Sequence, residues 1–314
     1  MKEDLVKLLA CPACMSDLEV RADVLDGTEV MKGSLGCRSC DARYPISGGV
    51  PRFAGGSTYA DSFGYEWNRF RVVQLDSANR TRESETTFRE KTGWTERDFC
   101  GALVLDAGVG AGRYAEVVSQ WGAEVVGVDL TGAVDAAFES IGRRPGVHLV
   151  QADLFRLPFR AETFDRAYSI GVLHHTPAPE RAFRCVAGAI KKGGSCAIYV
   201  YAAYGLARHA SDLLRRLTTR LPLPVVYYAS ALAGPLYYVR RLPVLGRVCR
   251  TLLPISMHPW WRWRWLDTFD WYTPEYQWKF TYPQVFQWFK SAGFTEVEIL
   301  DSPVCVRGVK GQAS

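Results

Sequence analysis

The sequence predicts an α/β protein: an open, mostly parallel sheet, preceded by a small cysteine-rich ribbon and interrupted late by a helical, aromatic cap. Three observations lead there. Two Cys-x-x-Cys pairs lie near the start, a glycine loop follows a short apolar run ending at Asp106, and roughly eighty residues rich in arginine and tryptophan separate a fifth strand from a last helix. The chain has 314 residues, 48% of them hydrophobic and 23% charged, which suits a folded protein with a sizeable core and excludes a disordered one.

The first element is the ribbon. Cys11 and Cys14 stand in "CPAC" and Cys37 and Cys40 in "CRSC", 22 residues apart. Two such knuckles supply four thiolates to one tetrahedral Zn2+, a structural ion, since four protein ligands leave no open position for a reacting group. Between them an alternating stretch around a "DG" turn predicts a hairpin. The segments "LLACPAC" and "CRSCDARYPISGGVPRF" resemble the small zinc-ribbon proteins that bind and activate RNA and protein methyltransferases. That resemblance spans residues 1–54 and implies a built-in activator or stabiliser. Nine cysteines, an odd number, and a start without an apolar leader core imply reduced thiols and a cytoplasmic protein.

Residues 55–100 are expected to form a polar, helical connector, and 101–314 the main domain. There "GALVLDAGVGAGRYAEVVSQWGAEVVGVDL" predicts strand, glycine loop, helix and second strand. Gly108, Gly110 and Gly112 are spaced by single residues, and the third glycine of the dinucleotide fingerprint would fall on Arg113, which weakens a nicotinamide reading. Asp129 ends the second strand about twenty residues beyond the loop, where a carboxylate can accept both hydroxyls of an unphosphorylated ribose. Three further strands end near Asp153, near "GVLHH" and near Tyr201, all at one crevice.

The ordered set "VLDAGVGAGR", "VVGVDL", "ADLFRLPF", "FDRAYSIGVLHHTPAP" and "IKKGG" resembles the class I S-adenosyl-L-methionine-dependent methyltransferases, most closely the quinone-biosynthesis-like branch. The resemblance resumes at "FTYPQVFQWFKSAGFTEVEIL", implying a Rossmann-like sheet closed by a terminal antiparallel hairpin. It implies that Asp106, Gly108, Gly110 and Gly112 shape the loop near the donor's methionine, that Asp129 holds the ribose, and that Asp153 meets the adenine amine with Leu154 beside it. It also places His174 and His175 near the transferable methyl, where a histidine can act as a base.

A cap is expected over about residues 202–280. Residues 201–265 hold ten arginines, no lysine and one acid, Asp212. "LARHASDLLRRLTTRL" predicts an amphipathic helix with Leu206, Leu213, Leu214, Leu217 and Leu221 on one face. The 19 uncharged residues from Leu221 to Val239 approach a membrane span but are broken by Pro222, Pro224, Gly234 and Pro235, so a kinked lid element is expected, with the arginines at 240, 241, 247 and 250 continuing the basic side. "HPWWRWRWLDTFDW" packs five tryptophans and two arginines into residues 258–271. In extended form Trp261, Trp263 and Trp265 would make a greasy wall, with Arg262 and Arg264 outward. Asp267, Asp270, Tyr272 and Tyr276 are candidate polar contacts.

These readings converge on a methyltransferase acting at oxygen or carbon of a small apolar, aromatic or lipid-linked acceptor, with peripheral membrane contact through the cap as an option. Two alternatives remain: an RNA methyltransferase gripping phosphates with ribbon and cap, and a donor-binding scaffold without catalysis.

Overall fold

The computed structural model describes residues 1–56, 58–204, 214–242 and 254–312. Strands β1 (Leu18–Asp26) and β2 (Glu29–Cys37) form the predicted hairpin, and β3 (Arg43–Ser47) and β4 (Val50–Pro51) complete a four-stranded antiparallel sheet. The hairpin turns at Gly27, whose positive φ of 61° suits a residue without a Cβ.

Helices α1 (Asp61–Phe70), α2 (Asp76–Asn79) and α3 (Glu83–Thr92) lead into the second sheet. That sheet alternates β5 (Leu103–Ala107), α4 (Arg113–Gln120), β6 (Glu124–Asp129), α5 (Ala133–Ala137), β7 (Val147–Gln151), β8 (Phe164–Ile170), α6 (Pro179–Gly188) and β9 (Ile190–Tyr199). The cap supplies α7 (Leu223–Ser230), α8 (Ala233–Val239) and α9 (Trp261–Tyr272), and α10 (Tyr282–Ser291), β10 (Phe294–Leu300) and β11 (Cys305–Lys310) finish the chain. The strand order is β10-β11-β9-β8-β5-β6-β7. Five strands pair in parallel, and the β10–β11 hairpin adds to β9 antiparallel, as the sequence predicts. The central strands read as continuous apolar runs because helices cover both faces.

The ribbon is docked on this sheet. Phe53 N–H donates to Gln151 O at 2.7 Å and Ala10 N–H to Pro158 O at 2.8 Å. Leu5, Leu9, Leu35 and Ile46 share one apolar cluster with Val128, Val150 and Phe159, so the two sheets fold around a common core. Arg52 pairs with Asp135 and donates to Gln151 Oε1, pinning the joint.

The cap departs from expectation. "WRWRW" is the first turn and a half of α9, not an extended ribbon, because Pro259 precedes a run without glycine or proline in which helical packing decides. Trp261 therefore stacks on Trp265 at 5.6 Å, while Trp263 and Leu266 pack with Phe70 and Val73 of the connector. Trp265 Nε1 donates to Tyr227 O at 2.7 Å. Arg264 is buried rather than outward: its guanidinium donates to the carbonyls of His258 and Pro259 at 2.9 Å each and lies over Tyr237 at 3.6 Å. Arg262 is exposed. The 19-residue uncharged stretch folds as the short helices α7 and α8, and among the described residues no helix is long and apolar enough to cross a membrane. Of the amphipathic stretch, Leu214 is half-buried while Leu217 is 61% exposed; Leu206 and Leu213, with Arg247 and Arg250, lie outside the described residues.

Candidate functional site

A cavity of about 780 Å³ opens at the carboxyl ends of the parallel strands. Its floor is the β5–α4 loop with the ends of β6, β8 and β9, and its roof is α1 on one side and α9 on the other. Ligands of open α/β sheets bind at this edge because the loops there diverge and leave a crevice.

Its lining includes Gly108, Gly110, Asp129, Leu130 and Leu154. Asp129 is fixed by its own loop: Oδ2 accepts from Gly110 N–H at 3.1 Å, and Oδ1 from Thr131 N–H at 3.0 Å and Thr131 Oγ1 at 2.8 Å. Burial raises its pKa, and these hydrogen bonds oppose the rise. The glycines are demanded by packing as well as conformation. At Gly108, φ is +100° and a Cβ would stand 2.3 Å from Val172; at Gly112, φ is +92° and a Cβ would stand 2.5 Å from Ile141.

The predicted donor residues divide. Gly108, Gly110, Asp129 and Leu154 line the cavity; Asp106, Gly112 and Asp153 do not. Asp106 is buried beneath the loop, where it accepts from Tyr168 Oη at 2.9 Å and burial pushes it up to about 8. Asp153 caps a short 3-10 turn by accepting from Phe155 N–H at 2.9 Å.

The histidines also divide. His175 lines the cavity, and its Nδ1 lies 2.8 Å from Tyr276 O. A carbonyl can only accept, so Nδ1 carries the proton and Nε2 is the ring's acceptor. Burial lowers its pKa to about 4, making it a weak base that stays neutral near pH 7. His174 is fully buried, stacked on Tyr201 at 3.9 Å.

The cavity also carries a group the sequence only half revealed. Asp267 and Asp270 of α9 face it, and Glu66 of α1 faces it from the connector. Ser256 Oγ donates to Asp267 at 2.8 Å and Tyr201 Oη to Asp270 at 3.1 Å, whereas among the described residues neither oxygen of Glu66 has a partner. Burial first, then mutual repulsion, raises Asp270 to about 7 and Glu66 well above its usual value; Asp267 rises to about 6 through burial. Tyr272 instead donates to Pro254 O at 2.6 Å and, like Tyr276, lies off the cavity wall. Glu66 had a signal in the sequence: it sits with Phe63, Trp67 and Phe70 on the apolar stripe of an amphipathic helix.

In the ribbon, the Sγ atoms of Cys11, Cys14, Cys37 and Cys40 all lie within 4.8 Å of one another, with Cys11–Cys40 at 3.8 Å and Cys14–Cys40 at 3.6 Å. Thiolates about 2.3 Å from a shared tetrahedral zinc would be separated by about this much, so the donor set fits that ion. Tyr44 Oη stands 3.3 Å from Cys11 Sγ, within reach to donate to a ligating sulfur.

Comparison with known proteins matches residues 105–198 to a family described as a methyltransferase domain, and residues 2–49 to one described as Trm112p-like protein. Among curated relatives, "Probable tRNA methyltransferase 9B" of Homo sapiens is 38% identical over 112 residues, 35% of this chain and 23% of that protein. The tRNA (carboxymethyluridine(34)-5-O)-methyltransferase of Saccharomyces cerevisiae is 35% identical over 106 residues, 32% of this chain and 36% of that one. The ubiquinone biosynthesis O-methyltransferase of Xanthomonas oryzae pv. oryzae is 28% identical over 130 residues, 39% and 54% of the two chains. The chain thus spans a quarter to about half of the length of these relatives. A solved complex between the Haloferax volcanii Trm112 methyltransferase activator and a methyltransferase aligns over 80% of this chain and 99% of the matched chain, at 12% identity and a TM-score of 0.47.

Proposed function

From a chain that joins a Trm112p-like ribbon domain to a class I methyltransferase domain, we propose an enzyme that transfers a methyl group from S-adenosylmethionine to a polar acceptor held beneath the cap. The observation that carries this reading is one cavity lined both by the glycine loop with Asp129 and by the acids Glu66, Asp267 and Asp270. When bound, the donor supplies an electrophilic methyl on a sulfonium. Asp129 would hold its ribose, Leu154 would lie beside the base, and the backbone of Gly108 and Gly110 would meet the remainder. Methyl transfer depends on bringing acceptor and methyl in line, and a roof of α1 and α9 supports this by excluding water.

The sequence-based expectation is a small apolar, aromatic or lipid-linked acceptor. Of the cap residues, Trp263 and Trp265 pack on the connector, while Leu266 and Trp271 line the cavity together with Asp267 and Asp270. The relatives favour a nucleoside of tRNA as the acceptor, since two of them carry tRNA in their names and the ribbon is Trm112p-like. A free polar small molecule is the second reading. It is supported by the cap arginines at 215, 240 and 264, whose guanidiniums donate to backbone carbonyls inside the cap.

The deciding experiment supplies the purified chain with methyl-labelled donor and either bulk tRNA or a small-molecule extract of the same cells. Label in tRNA, with RNA binding that weakens steeply as salt rises, supports the first reading; label only in the small-molecule fraction supports the second. Donor binding without transfer to either would leave a scaffold.

A further inference from the structure

We propose that Glu66, Asp267 and Asp270 form the acceptor subsite, and that the acceptor presents to them a group rich in hydrogen-bond donors: a protonated amine or neighbouring hydroxyls. The inference rests on the reading that methyl transfer occurs in this cavity. It names the chemistry of the acidic part of the cavity wall.

Glu66 is the strongest observation. It sits in the middle of α1, is 0% exposed, and neither carboxyl oxygen has a hydrogen-bond partner among the described residues. Burying an unpartnered carboxyl is costly, and an apolar residue would serve packing at that position better. The cost is offset if a ligand completes the bonds. Asp267 and Asp270 sit three residues apart on one face of α9 and converge on the same cavity. Among the described residues each accepts from one hydroxyl, which occupies only part of a carboxylate's accepting capacity.

Lys91, Arg113, Arg240 and Lys279 also line the cavity, and Arg113 lies near enough to Asp267 to oppose the rise in its pKa, though burial outweighs it. Arg113 donates to Ser84 and Thr87, and Lys91 donates to Ser302 and lies over Tyr199 at 3.6 Å. Among the described residues no ion pair joins either to the three acids. Three carboxyls facing one space accept hydrogen bonds in any state of ionisation, and an ammonium among them favours their ionised forms, whereas a phosphate or carboxylate adds to the negative charge that burial already opposes. The complementary acceptor therefore brings N–H or O–H groups.

The test uses the full chain saturated with S-adenosylhomocysteine and three probes of similar size: glucosamine, glucose and gluconate. Binding is followed by calorimetry, with the affinity for S-adenosylhomocysteine measured in parallel. The expected result is binding of glucosamine or glucose, weakened about tenfold or more by Glu66→Gln and by Asp270→Asn, with the affinity for S-adenosylhomocysteine unchanged. Preference for glucosamine assigns the amine, and equal binding of the two assigns the hydroxyls. Three outcomes overturn the proposal: gluconate binding as well as glucose, no binding of glucosamine or glucose, or unaltered probe binding in both variants. A fourth is an equal loss of S-adenosylhomocysteine affinity in Glu66→Gln, which would assign the acids to the donor's own ammonium. Because S-adenosylhomocysteine binding and label transfer are read separately, failure here is distinct from failure of the methyltransferase reading.

Discussion

Tyr201 donates its phenolic proton to Asp270 Oδ2 at 3.1 Å, tying the segment that leaves the fifth parallel strand to the cap helix across the cavity. The bond opposes a larger effect, the burial that holds Asp270 near 7. A carboxyl whose folded pKa lies above its unfolded value binds more protons in the native state, so its contribution to stability falls as pH rises from about 4 through about 7. Asp270→Asn removes that loss. Its melting temperature should gain on the parent's between pH 5 and pH 8, by about 2–4 °C for each kcal/mol relieved. Thermal melts followed by circular dichroism at the two pH values check this; a variant that gains nothing on the parent between them contradicts it.

Asp129→Ala should weaken binding of S-adenosylhomocysteine about tenfold or more, since a charge-assisted pair to a ribose is lost and the N–H of Gly110 loses its anchor. The far-ultraviolet spectrum should be unchanged. Calorimetry showing parental affinity would remove Asp129 from the donor site.

His175 should remain neutral across the physiological range. Its ring resonances, followed by nuclear magnetic resonance, are expected to titrate near pH 4, and the pH profile of turnover should contain no step between 6 and 7 that disappears in His175→Gln. Such a step would restore the ring as a base.

Cys14→Ser should abolish zinc retention and lower the melting temperature of the entire chain. Leu5, Leu9 and Leu35 share a cluster with Val128 and Val150, so loosening the ribbon opens the core of the larger sheet as well. Metal analysis and a melt of the variant check both parts, and a ribbon that melts separately from the rest contradicts the second.

Legibility in the sequence tracked how local the deciding physics is. The cysteine pairs and the β5–Gly108–α4 turn were readable because metal ligation and tight turns impose spacing within a few residues. The form of "WRWRW" was not, because five alternating residues fit a strand as well as a helix, and contacts with Phe70 and Val73, some 190 residues earlier, settled it. His174 and His175 are chemically identical neighbours; only the turn at Leu173–His175 decides which ring meets the cavity. Glu66 meets Asp267 and Asp270 across two hundred residues, a relation carried by no local pattern.

Nine residues, 52–60, separate the end of β4 from the start of α1. A linker so short holds the ribbon at an effective concentration on the order of millimolar beside its docking edge. The seam pinned by Arg52 and Gln151 therefore need not survive dilution, and its few ion pairs can be individually weak. Every copy of the larger sheet is made with its ribbon in one-to-one ratio, independent of the abundance of any separate subunit.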